Sequence, residues 1–380
     1  LLKETKEIFE FEINKLETKI YNISETEFNI ASPKQLGEVL FEKLVLESNP
    51  KKTKTGQYST SEDTLSKLAK KHEIIRLILE WRSLQKLLTT YVYSLPKQIH
   101  PKSNKIHTEF NQTLTTTGRL SSTNPNLQNI PVRTDRGKLI RKSFIPKNKN
   151  YTLLCADYSQ VELRIIAFLS GDSNMKNAFI NNEDIHRSTA ARVFNVNIDD
   201  VNEEQRRNAK IVNFGIIYGV SAFGLSNQTD LTRSESKEII NNYFKSYPKL
   251  KEYMSDQISF ARDNGYVETI LKRKRYLPEI NSRNAILRSS AERNAINTPV
   301  QGSAADIIKL SMIKIDHEFE KRSLSSKLLL QVHDELVFDV HLSEIDIVKK
   351  IIIDNMENVI QMDVPLKVDI GFGDNWLVAH

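Results

Sequence analysis

The chain is poor in cysteine and lacks any long apolar run. Cys155 is the only cysteine among 380 residues, so no disulfide can form within the chain, and a reducing compartment is expected. Because Cys155 lies in the apolar run 151–156, we predict that its side chain is buried. No apolar stretch approaches the roughly 20 residues of a membrane span, and no secretory signal opens the sequence. We therefore expect a soluble, intracellular protein with no membrane partner.

Two further absences limit the possible functions. The phosphate-binding loop GxxxxGK followed by Ser or Thr does not occur, which argues against an ATP-driven motor. The sequence opens at Leu1 rather than at an initiator methionine, so we expect a piece of a longer protein.

Length and charge indicate a multidomain protein with an anionic partner. A chain of 380 residues is too long for one ordinary core, so two or three domains are expected. The 54 Lys and Arg residues exceed the 48 Asp and Glu residues, which gives a formal net charge of +6. That excess favours a polyanion such as a nucleic acid as partner, although the many acidic residues indicate a patterned surface rather than a basic tail.

The first hundred residues have the pattern of helices interrupted by one basic loop. Apolar residues recur at helical spacing in 2–16 and again in 74–88. The stretch 48–63 is rich in Pro, Gly and hydroxyl residues, so we interpret it as a loop. Three lysines lie in it: Lys51, Lys52 and Lys54. Ser59 and Glu62 have the spacing of a capping box, which predicts that a new helix begins there.

An acidic strand-to-helix junction lies at 157–164. The run 151–156 has the composition of a buried strand and ends at Asp157, while Ser159 and Glu162 form a second capping-box pair that predicts the start of a helix. Asp157 is therefore expected at the carboxyl end of a strand, a position that projects a side chain into a crevice and suits a metal ligand. Taken alone, the stretch is better explained as a turn residue followed by a helix cap.

An acidic hairpin is predicted at 331–340. Apolar residues alternate on both sides of its turn, at Leu328, Leu330 and Val332 and again at Leu336, Phe338 and Val340. The turn holds His333, Asp334 and Glu335 where Gly or Asn is usual, which indicates a nearby cation. Asp157 and Asp334 together would hold two Mg²⁺ ions about 3.5–4 Å apart. Because the two acidic stretches bracket a long helical block, a sheet built from both flanks would carry that block as an insertion, which predicts a mixed α/β fold.

A basic and aromatic helix is predicted at 203–219. Four of its residues recur every four positions and so form one stripe along the helix: Arg206, Lys210, Phe214 and Tyr218. Cations at one end suit the phosphates of a nucleoside triphosphate, and rings at the other end suit its sugar and base. The alternative is an amphipathic core helix with a solvated basic start. Gly215 and Gly219 argue against it, because glycine within a helix costs about 1 kcal/mol relative to alanine and marks a close approach or a movement.

These three stretches resemble motifs A, B and C of the family A DNA polymerases. The resemblance extends over nearly the whole chain and includes TGRLSSTNPNLQNIPVR at 117–133, EDIHRSTAARVF at 183–194 and INTPVQGSAADIIK at 296–309. It implies a right-hand polymerase fold of mixed α/β class, with an antiparallel-sheet palm, helical fingers and a helical thumb. The implied boundaries are 1–99 for the thumb, 100–170 and 288–380 for the two parts of the palm, and 171–287 for the fingers.

The resemblance also implies a reaction and its partners. A member of the family adds deoxynucleotides to a primer 3′ end by two-metal-ion nucleotidyl transfer and releases pyrophosphate, in replication or repair. Two Mg²⁺ ions, for which Mn²⁺ can substitute, are the implied cofactors. Primer-template DNA and deoxynucleoside triphosphates are the implied partners, and a monomer without a proofreading domain is expected.

Individual site residues follow from the resemblance by position. It implies that Asp157, Asp334 and the backbone carbonyl of Tyr158 bind the metals, with Glu335 beside them as a catalytic residue, and that Lys210 donates a proton to the leaving pyrophosphate. The implied nucleotide-binding residues are Arg206, Lys210, Phe214, Tyr218, His186, Glu162 and Gln160, of which Glu162 would close against the ribose 2′ position. The implied DNA-binding residues are Arg119, Arg133, Asn297, Gln301, His333, Arg293, Lys51, Lys52 and Lys54. For the last three, a solvated lysine run explains the sequence nearly as well.

The sequence departs from the family pattern at one turn, and at another position it has one of two residues that the family uses. Leu271, Lys272 and Arg273 stand where relatives commonly have a glycine, so the backbone of that hairpin is expected to differ. Phe214 occupies a position that is tyrosine in some members, and by resemblance phenylalanine implies discrimination against dideoxynucleotides.

Two rival functions stay open from the sequence. A single-subunit RNA polymerase shares the metal and basic motifs, but the carboxylate of Glu162 at the sugar-facing place argues against ribonucleotides. A non-catalytic clamp that binds primer ends would not need Asp157, Asp334, Arg206 and Lys210 together. A nuclease is disfavoured because the polymerase fold accounts for the whole length.

Overall fold

The computed structural model describes residues 1–132 and 134–380, and the chain divides into two compact units. Unit 1 comprises Leu1–Glu109 and Thr123–Phe144, and unit 2 comprises Phe110–Ser122 and Ile145–His380. Unit 1 includes the whole of the range expected for the thumb, and the boundaries of thumb, palm and fingers stay predictions. None of the described helices is long and apolar enough to cross a membrane.

Unit 1 is mainly helical, as the sequence predicts. Its helices are α1 (Leu2–Ser24), α2 (Pro33–Glu38), α3 (Glu62–Leu68), α4 (Glu73–Leu87) and α5 (Asp135–Arg141), with π-helical turns at Val39–Lys43 and Leu88–Val92, and its short strands β1 (Ile99–His100) and β2 (Lys105–Ile106) pair with each other. Helix α1 packs against α4. The buried residues of α1 include Phe9, Ile13, Leu16 and Ile20, whose spacing defines one face of the helix.

The basic loop is confirmed for residues 48–61, but its predicted end at 63 is two residues too late and the predicted capping box is wrong. Helix α3 begins at Glu62, its N-cap is Ser61, and no side chain caps it. The Ser59 hydroxyl instead lies 2.9 Å from the Thr64 hydroxyl. Three hydroxyl residues in a row precede the helix, so spacing alone could not identify which of them stands at its start.

Unit 2 is organised around one antiparallel sheet. The remaining described strands are β3 (Glu109–Asn111), β4 (Ser121–Thr123), β5 (Tyr151–Tyr158), β6 (Tyr266–Glu268), β7 (Lys274–Tyr276), β8 (Lys327–Val332), β9 (Glu335–His341) and β10 (Val368–Gly373). The sheet has the order β10, β5, β9, β8, while β3 pairs with β4 and β6 with β7 in two small hairpins. Since β5 pairs directly with β9, the segment between them is an insertion, as predicted.

Helices fill most of the insertion and continue beyond it. The described helices of unit 2 are α6 (Val161–Ser170), α7 (Ser173–Ile180), α8 (Ile185–Phe194), α9 (Glu203–Ile217), α10 (Ala222–Ser226), α11 (Arg233–Ser246), α12 (Pro248–Asn264), α13 (Ala285–Lys321), α14 (Ile345–Glu357) and α15 (Trp376–Ala379). The longest of them, α13, begins at Ala285, where the Asn284 side chain accepts hydrogen bonds from the first turn.

The sheet is buried along its two central strands. Leu154 and Ala156 of β5, and Leu336 and Phe338 of β9, belong to one apolar core, and Cys155 is buried as predicted. The predicted alternation in β8 fails at Leu328, because a β-bulge interrupts the register between Leu328 and Leu330.

Phe338 offers a test of this core. Its side chain is fully buried, 5.9 Å between ring centroids from Phe319, so Phe338→Ala should lower the free energy of unfolding of unit 2 by about 3–5 kcal/mol. Urea denaturation followed by circular dichroism measures this. The matched control is Phe223→Ala, whose side chain is 61% exposed and whose loss should cost less than about 0.5 kcal/mol. Equal losses for the two variants would contradict the placement of β9 at the centre of the sheet.

Candidate active site

The two acidic stretches meet at one end of the sheet. Asp157 stands opposite Glu335 in the β5–β9 register, at the carboxyl end of β5 as predicted. The Tyr158 backbone N–H donates to the Asp334 carbonyl oxygen at 3.1 Å, which ties the end of β5 to the turn before β9. That turn is formed by His333 and Asp334, and His333 adopts a φ of +54°. Residues that are far apart in the sequence therefore form one acidic cluster.

The carboxylates of this cluster raise the cost of each other's charge. Burial, followed by the charges of Glu335 and Asp334, raises the pKa of Asp157 to about 6, and His380 opposes the shift. Burial also raises the pKa of Asp334, with opposition from Arg119, whose Nη2 lies 3.9 Å from the Asp334 carboxylate. A cation placed between Asp157 and Asp334 would relieve this repulsion.

Glu335 differs from its neighbours because the protein itself satisfies its charge. Its buried carboxylate accepts from the Trp376 indole N–H at 3.1 Å and lies 3.0 Å from His380 Nδ1. Burial raises the pKa of Glu335, but hydrogen bonds from His380, Cys155 and Trp376 outweigh it, so its pKa lies below the ordinary value. Glu335 is thus held as a structured anion beside the two aspartates.

The donor set of the cluster fits a magnesium site completed by substrate. Among residues 1–132 and 134–380, no group of three or more His, Cys, Asp or Glu side chains is arranged to hold a metal ion. Mg²⁺ is usually bound through one or two carboxylates together with substrate phosphates rather than in an all-protein cage. Asp157 and Asp334 supply two such carboxylates. Their repulsion raises the pKa of Asp157, and a divalent cation would stabilise the form in which both are ionised.

Glu162 is not a helix cap, which corrects the second capping-box prediction. Helix α6 begins after Gln160, whose φ is +55°, and no side chain caps it, whereas the Ser159 backbone N–H donates to the Lys367 carbonyl. The Glu162 carboxylate accepts from Arg119 Nη2 at 2.5 Å and from the Tyr218 hydroxyl at 2.6 Å. Burial raises the pKa of Glu162, against the lowering effect of these two partners.

Helix α9 presents the predicted basic and aromatic stripe. It runs from Glu203 to Ile217, with a capping box formed by Asn202 and Gln205 at its start. Tyr218 is the C-cap rather than a helical residue, so the stripe ends one residue outside the helix. Gly219 likewise follows the helix, with a φ of +71°.

Both glycines allow close approaches, as their presence predicts. A Cβ on Gly215 would lie 2.8 Å from Val220 Cγ1. A Cβ on Gly219 would lie 2.7 Å from the Arg293 side chain, so Arg293 packs directly over this turn. Arg293 Nη1 also donates to Ser289 on the same helix.

The cations of α9 have different environments. Arg206 Nε donates to the Asp184 carboxylate at 2.7 Å. Asp184 is the N-cap of α8 and also accepts from the backbone N–H groups of His186 and Arg187. Burial raises the pKa of Asp184, but the hydrogen bonds from Arg206, Arg187 and His186 bring it below the ordinary value. Lys210, one turn further along α9, is exposed.

His186 is buried between α8 and α9. Its ring centroid lies 5.8 Å from that of Phe214, and its Nδ1 lies 3.0 Å from Asn213 Nδ2. Burial lowers the pKa of His186 to about 4; Asp184 opposes this effect, while Lys210 and Arg206 add to it. The imidazole is therefore uncharged at neutral pH, which the sequence did not indicate.

The residues implied to contact DNA divide between the two units. Asn297 and Gln301 lie on α13, one turn apart, and Asn297 Oδ1 is buried without a hydrogen-bond partner among the described residues. His333 is exposed at the hairpin turn. Lys51, Lys52 and Lys54 are exposed in unit 1, where Lys52 Nζ lies 4.9 Å from the Tyr58 ring centroid. Arg133 lies outside the described residues.

The turn at 271–273 has a backbone that suits glycine, and its expected difference from the relatives stays a prediction. Lys272 has a φ of +65°, which is a strained conformation for a lysine. Arg273 next to it donates to Asp306 at 2.8 Å and to the Thr117 carbonyl at 2.7 Å. Gly118, with a φ of +83°, gives Arg273 the space to do so. Arg273 thereby fixes the segment that carries Arg119.

The motif analysis missed several residues of the site. Predicted site residues are contacted by Asp184, Asn213, Trp376 and His380. Asp184 could have been found as an Asp two positions before His186 at a helix start. Asn213 could have been found as a polar residue among the apolar positions of α9, whereas nothing local marks Trp376 or His380.

Comparison with known proteins gives one consistent result. The sequence model described as DNA polymerase family A matches residues 1–378. DNA polymerase I of Caldicellulosiruptor bescii is 54% identical over 376 residues, which are 99% of this chain and 44% of that protein. DNA polymerase I of Bacillus subtilis is 50% identical over 378 residues, which are 100% of this chain and 43% of that protein. The chain thus spans less than half the length of these curated relatives.

A solved structure is also similar. It is described as the POL domain of Pol1 from M. smegmatis in complex with DNA primer-template and dNTP, and it is 42% identical in sequence with a TM-score of 0.93. The likeness covers 100% of this chain and 66% of that one. Together with the antiparallel sheet and surrounding helices, it confirms the predicted mixed α/β class.

The buried imidazole of His186 predicts a pH dependence of stability. Its pKa in the folded chain, about 4, lies below the ordinary value near 6.5, so between these values the unfolded chain binds a proton that the folded chain does not. Above pH 6.5 the imidazole is neutral in both states, and its burial costs no stability. As the pH falls towards 4, the free energy of unfolding decreases by about 1.4 kcal/mol per pH unit. Urea denaturation at several pH values across this range gives the free energy of unfolding, and its slope against pH should be shallower for His186→Gln. The control His317→Gln, at an exposed position on α13, should keep the wild-type slope, and an unchanged slope in H186Q would contradict the burial of His186.

Proposed function

The chain belongs to DNA polymerase family A, and on this premise we propose that it catalyses DNA-directed DNA synthesis, adding deoxynucleotides to a primer 3′ end with release of pyrophosphate. The predicted right-hand polymerase fold is confirmed by the likeness to the POL domain. Because the chain spans less than half of its curated relatives, this activity, its substrates and its partners are proposed for the segment described here.

One chain of contacts carries the proposal. Tyr218, at the aromatic end of α9, hydrogen bonds to Glu162, which accepts from Arg119, and Arg119 approaches Asp334. Asp334 in turn is joined to the end of β5 beside Asp157. All three sequence stretches therefore contribute side chains to one site, which is the arrangement that nucleotidyl transfer needs.

The acidic cluster is the proposed metal site. Asp157 and Asp334, with the Tyr158 carbonyl, would hold two divalent ions, which we propose to be Mg²⁺, with Mn²⁺ able to substitute. When bound, the ions would lower the pKa of the primer hydroxyl and neutralise charge on the phosphates. Glu335, held by Trp376 and His380, adds a fixed negative charge that keeps the site attractive to cations.

The basic end of α9 is the proposed triphosphate site. Arg206 is held in place by Asp184 until phosphate oxygens replace that carboxylate as its partner. Lys210 is exposed, which suits a donor of a proton to the leaving pyrophosphate. His186 is proposed to contact the phosphates as well.

The aromatic end of α9 is the proposed sugar and base pocket. Phe214 and Tyr218 would line it, with Gln160 at the start of α6. Glu162, whose carboxylate is fixed by Tyr218 and Arg119, would stand against the ribose 2′ position. A rigid carboxylate at that place would reject a 2′ hydroxyl by steric contact.

The proposed contacts to the primer-template end lie along α13 and the hairpin. Asn297 has a buried carbonyl oxygen without a partner in the described residues, and such an atom suits a ligand donor such as a base edge. The other proposed contacts are Arg119, Gln301, His333, Arg293 and Arg133, together with Lys51, Lys52 and Lys54 for duplex phosphates.

Primer extension tests the proposal and its rivals together. A labelled primer-template is incubated with Mg²⁺ and with dATP or ATP supplied separately. We expect extension with the deoxynucleotide and little with the ribonucleotide, whereas the reverse preference would indicate an RNA polymerase. Binding of the primer-template without any extension would indicate a non-catalytic clamp.

Variants of the acidic cluster make the test specific. Asp157→Asn and Asp334→Asn should each lower the extension rate by about 10³-fold or more, because each removes a charged metal ligand. The matched control is Asp256→Asn, an exposed aspartate on α12, which should retain extension within about threefold. Undiminished extension by D157N or D334N would reject the metal assignment.

Sugar selection offers an independent test of the aromatic pocket. Phe214→Tyr should lower the discrimination against dideoxynucleotides by roughly tenfold or more, since a tyrosine hydroxyl can take the place of the missing 3′ hydroxyl. The measurement is the ratio of kcat/KM for dideoxy and deoxy nucleotides. The control is Phe223→Tyr on α10, at an exposed ring. Equal ratios for F214Y and the wild type would remove Phe214 from the pocket.

A further inference from the structure

A buried hydrogen-bonded chain lies behind the proposed triphosphate site. Asn213 is fully buried on α9, next to Phe214. Its Nδ2 lies 3.0 Å from His186 Nδ1, and its Oδ1 accepts from the Thr189 hydroxyl at 3.2 Å. The Thr189 hydroxyl also lies 3.0 Å from the Tyr247 hydroxyl, and both groups are buried. The chain therefore runs from the core of unit 2 to the imidazole.

The direction of this chain decides which nitrogen of His186 carries the proton. An amide nitrogen can only donate, so His186 Nδ1 must accept, and a neutral imidazole whose Nδ1 accepts has its proton on Nε2. In the structure the Asn213 amide oxygen faces the Thr189 hydroxyl and the amide nitrogen faces His186 Nδ1. His186 Nε2 makes no hydrogen bond within the described part of the chain, so its N–H is available to a ligand.

We propose that Asn213 is a positioning residue that holds His186 as the neutral tautomer with its proton on Nε2, so that His186 meets the phosphates of the nucleotide as an uncharged donor. The proposal rests on the proposed function and deepens it at the triphosphate site. Sequence spacing selects Arg206, Lys210, Phe214 and Tyr218 on α9, and Asn213 lies outside that stripe.

The charged groups around the imidazole agree with this assignment. Asp184 faces it from the start of α8, and Arg206 and Lys210 face it from α9. Asp184 is already engaged by Arg206, which limits the support it can give to an imidazolium. The low pKa of His186, about 4, then leaves the ring uncharged throughout the neutral range.

An uncharged donor has a clear advantage at this place. Arg206 and Lys210 already supply two positive charges to the triphosphate. A third would strengthen the binding of substrate and of pyrophosphate alike, and such uniform binding does not speed the chemical step. A neutral N–H instead orients the triphosphate by a hydrogen bond to one phosphate oxygen. It adds no positive charge that would hold back the pyrophosphate product.

Nitrogen NMR of the wild-type chain labelled with ¹⁵N-histidine tests the tautomer directly. The His186 signals are identified by their loss in His186→Gln. We expect Nε2 to carry the proton and Nδ1 to be unprotonated from pH 6 to 9, with or without primer-template and nucleotide. A proton on Nδ1 in this range, in a neutral ring or an imidazolium, would overturn the proposal.

A double-mutant cycle tests the positioning role. Asn213→Leu should raise the KM for the incoming deoxynucleotide roughly 5- to 20-fold, with a much smaller change in kcat, because the donor loses its fixed orientation. In the H186Q background the same substitution should add almost nothing. Additive effects would reduce Asn213 to a packing residue and overturn the proposal.

A second variant keeps the test decisive if the leucine variant folds poorly. Asn213→Asp preserves the shape but places a carboxylate against Nδ1, which should favour the imidazolium and make the KM fall as the pH is lowered from 9 to 6. N213D combined with H186Q should lose that pH dependence, and a flat KM for N213D alone would count against the proposal. Wild-type extension is measured in parallel, since its absence would reject the proposed function and leave the NMR result as the test of the tautomer.

Discussion

Pairing of β5 with β9 is the constraint on which the rest of the site depends. It sets Asp157 across from Glu335, and the bond from Tyr158 N–H to the Asp334 carbonyl fixes the turn beside them. Three carboxylates are thereby crowded into a partly buried place, where each raises the electrostatic cost of the others. Glu335 is held by the Trp376 indole and by His380, while Arg119 lies 3.9 Å from Asp334. The backbone therefore holds Asp157 and Asp334 close together at the proposed metal site, where a divalent cation would relieve their repulsion.

Elsewhere in the site, arginines are already paired with protein carboxylates. Arg206 is bonded to Asp184, and Arg119 to Glu162. These contacts keep the guanidinium groups oriented, so a ligand exchanges one anionic partner for another and does not have to order a mobile side chain. For the proposed nucleotide, such an exchange would lower the net affinity but improve discrimination, because a ligand whose charges are misplaced would not compete with Asp184 or Glu162.

Sequence reasoning succeeds here where the signal is periodic and fails where it is tertiary. Alternation and helical spacing predict the strand that ends at Asp157, the hairpin at Asp334 and most of α9. The same spacing misassigns Glu162 as a cap, because its partners are Arg119, 43 residues earlier, and Tyr218, 56 residues later. The bulge in β8 and the buried charge state of His186 likewise depend on packing that no local window contains. The role of each site residue beyond its position stays a prediction.

The inserted topology has a consequence for how the chain acquires its shape. Strand β9 follows β5 only after the whole block from α6 to α13, so this pairing closes a very long loop and has a high contact order. During synthesis β5 leaves the ribosome long before β9 has been made, and until then its apolar residues can pack only against the helices of the block. The carboxylate pair is therefore assembled late, and the proposed metal site would form in a nascent chain only when β9 has joined β5.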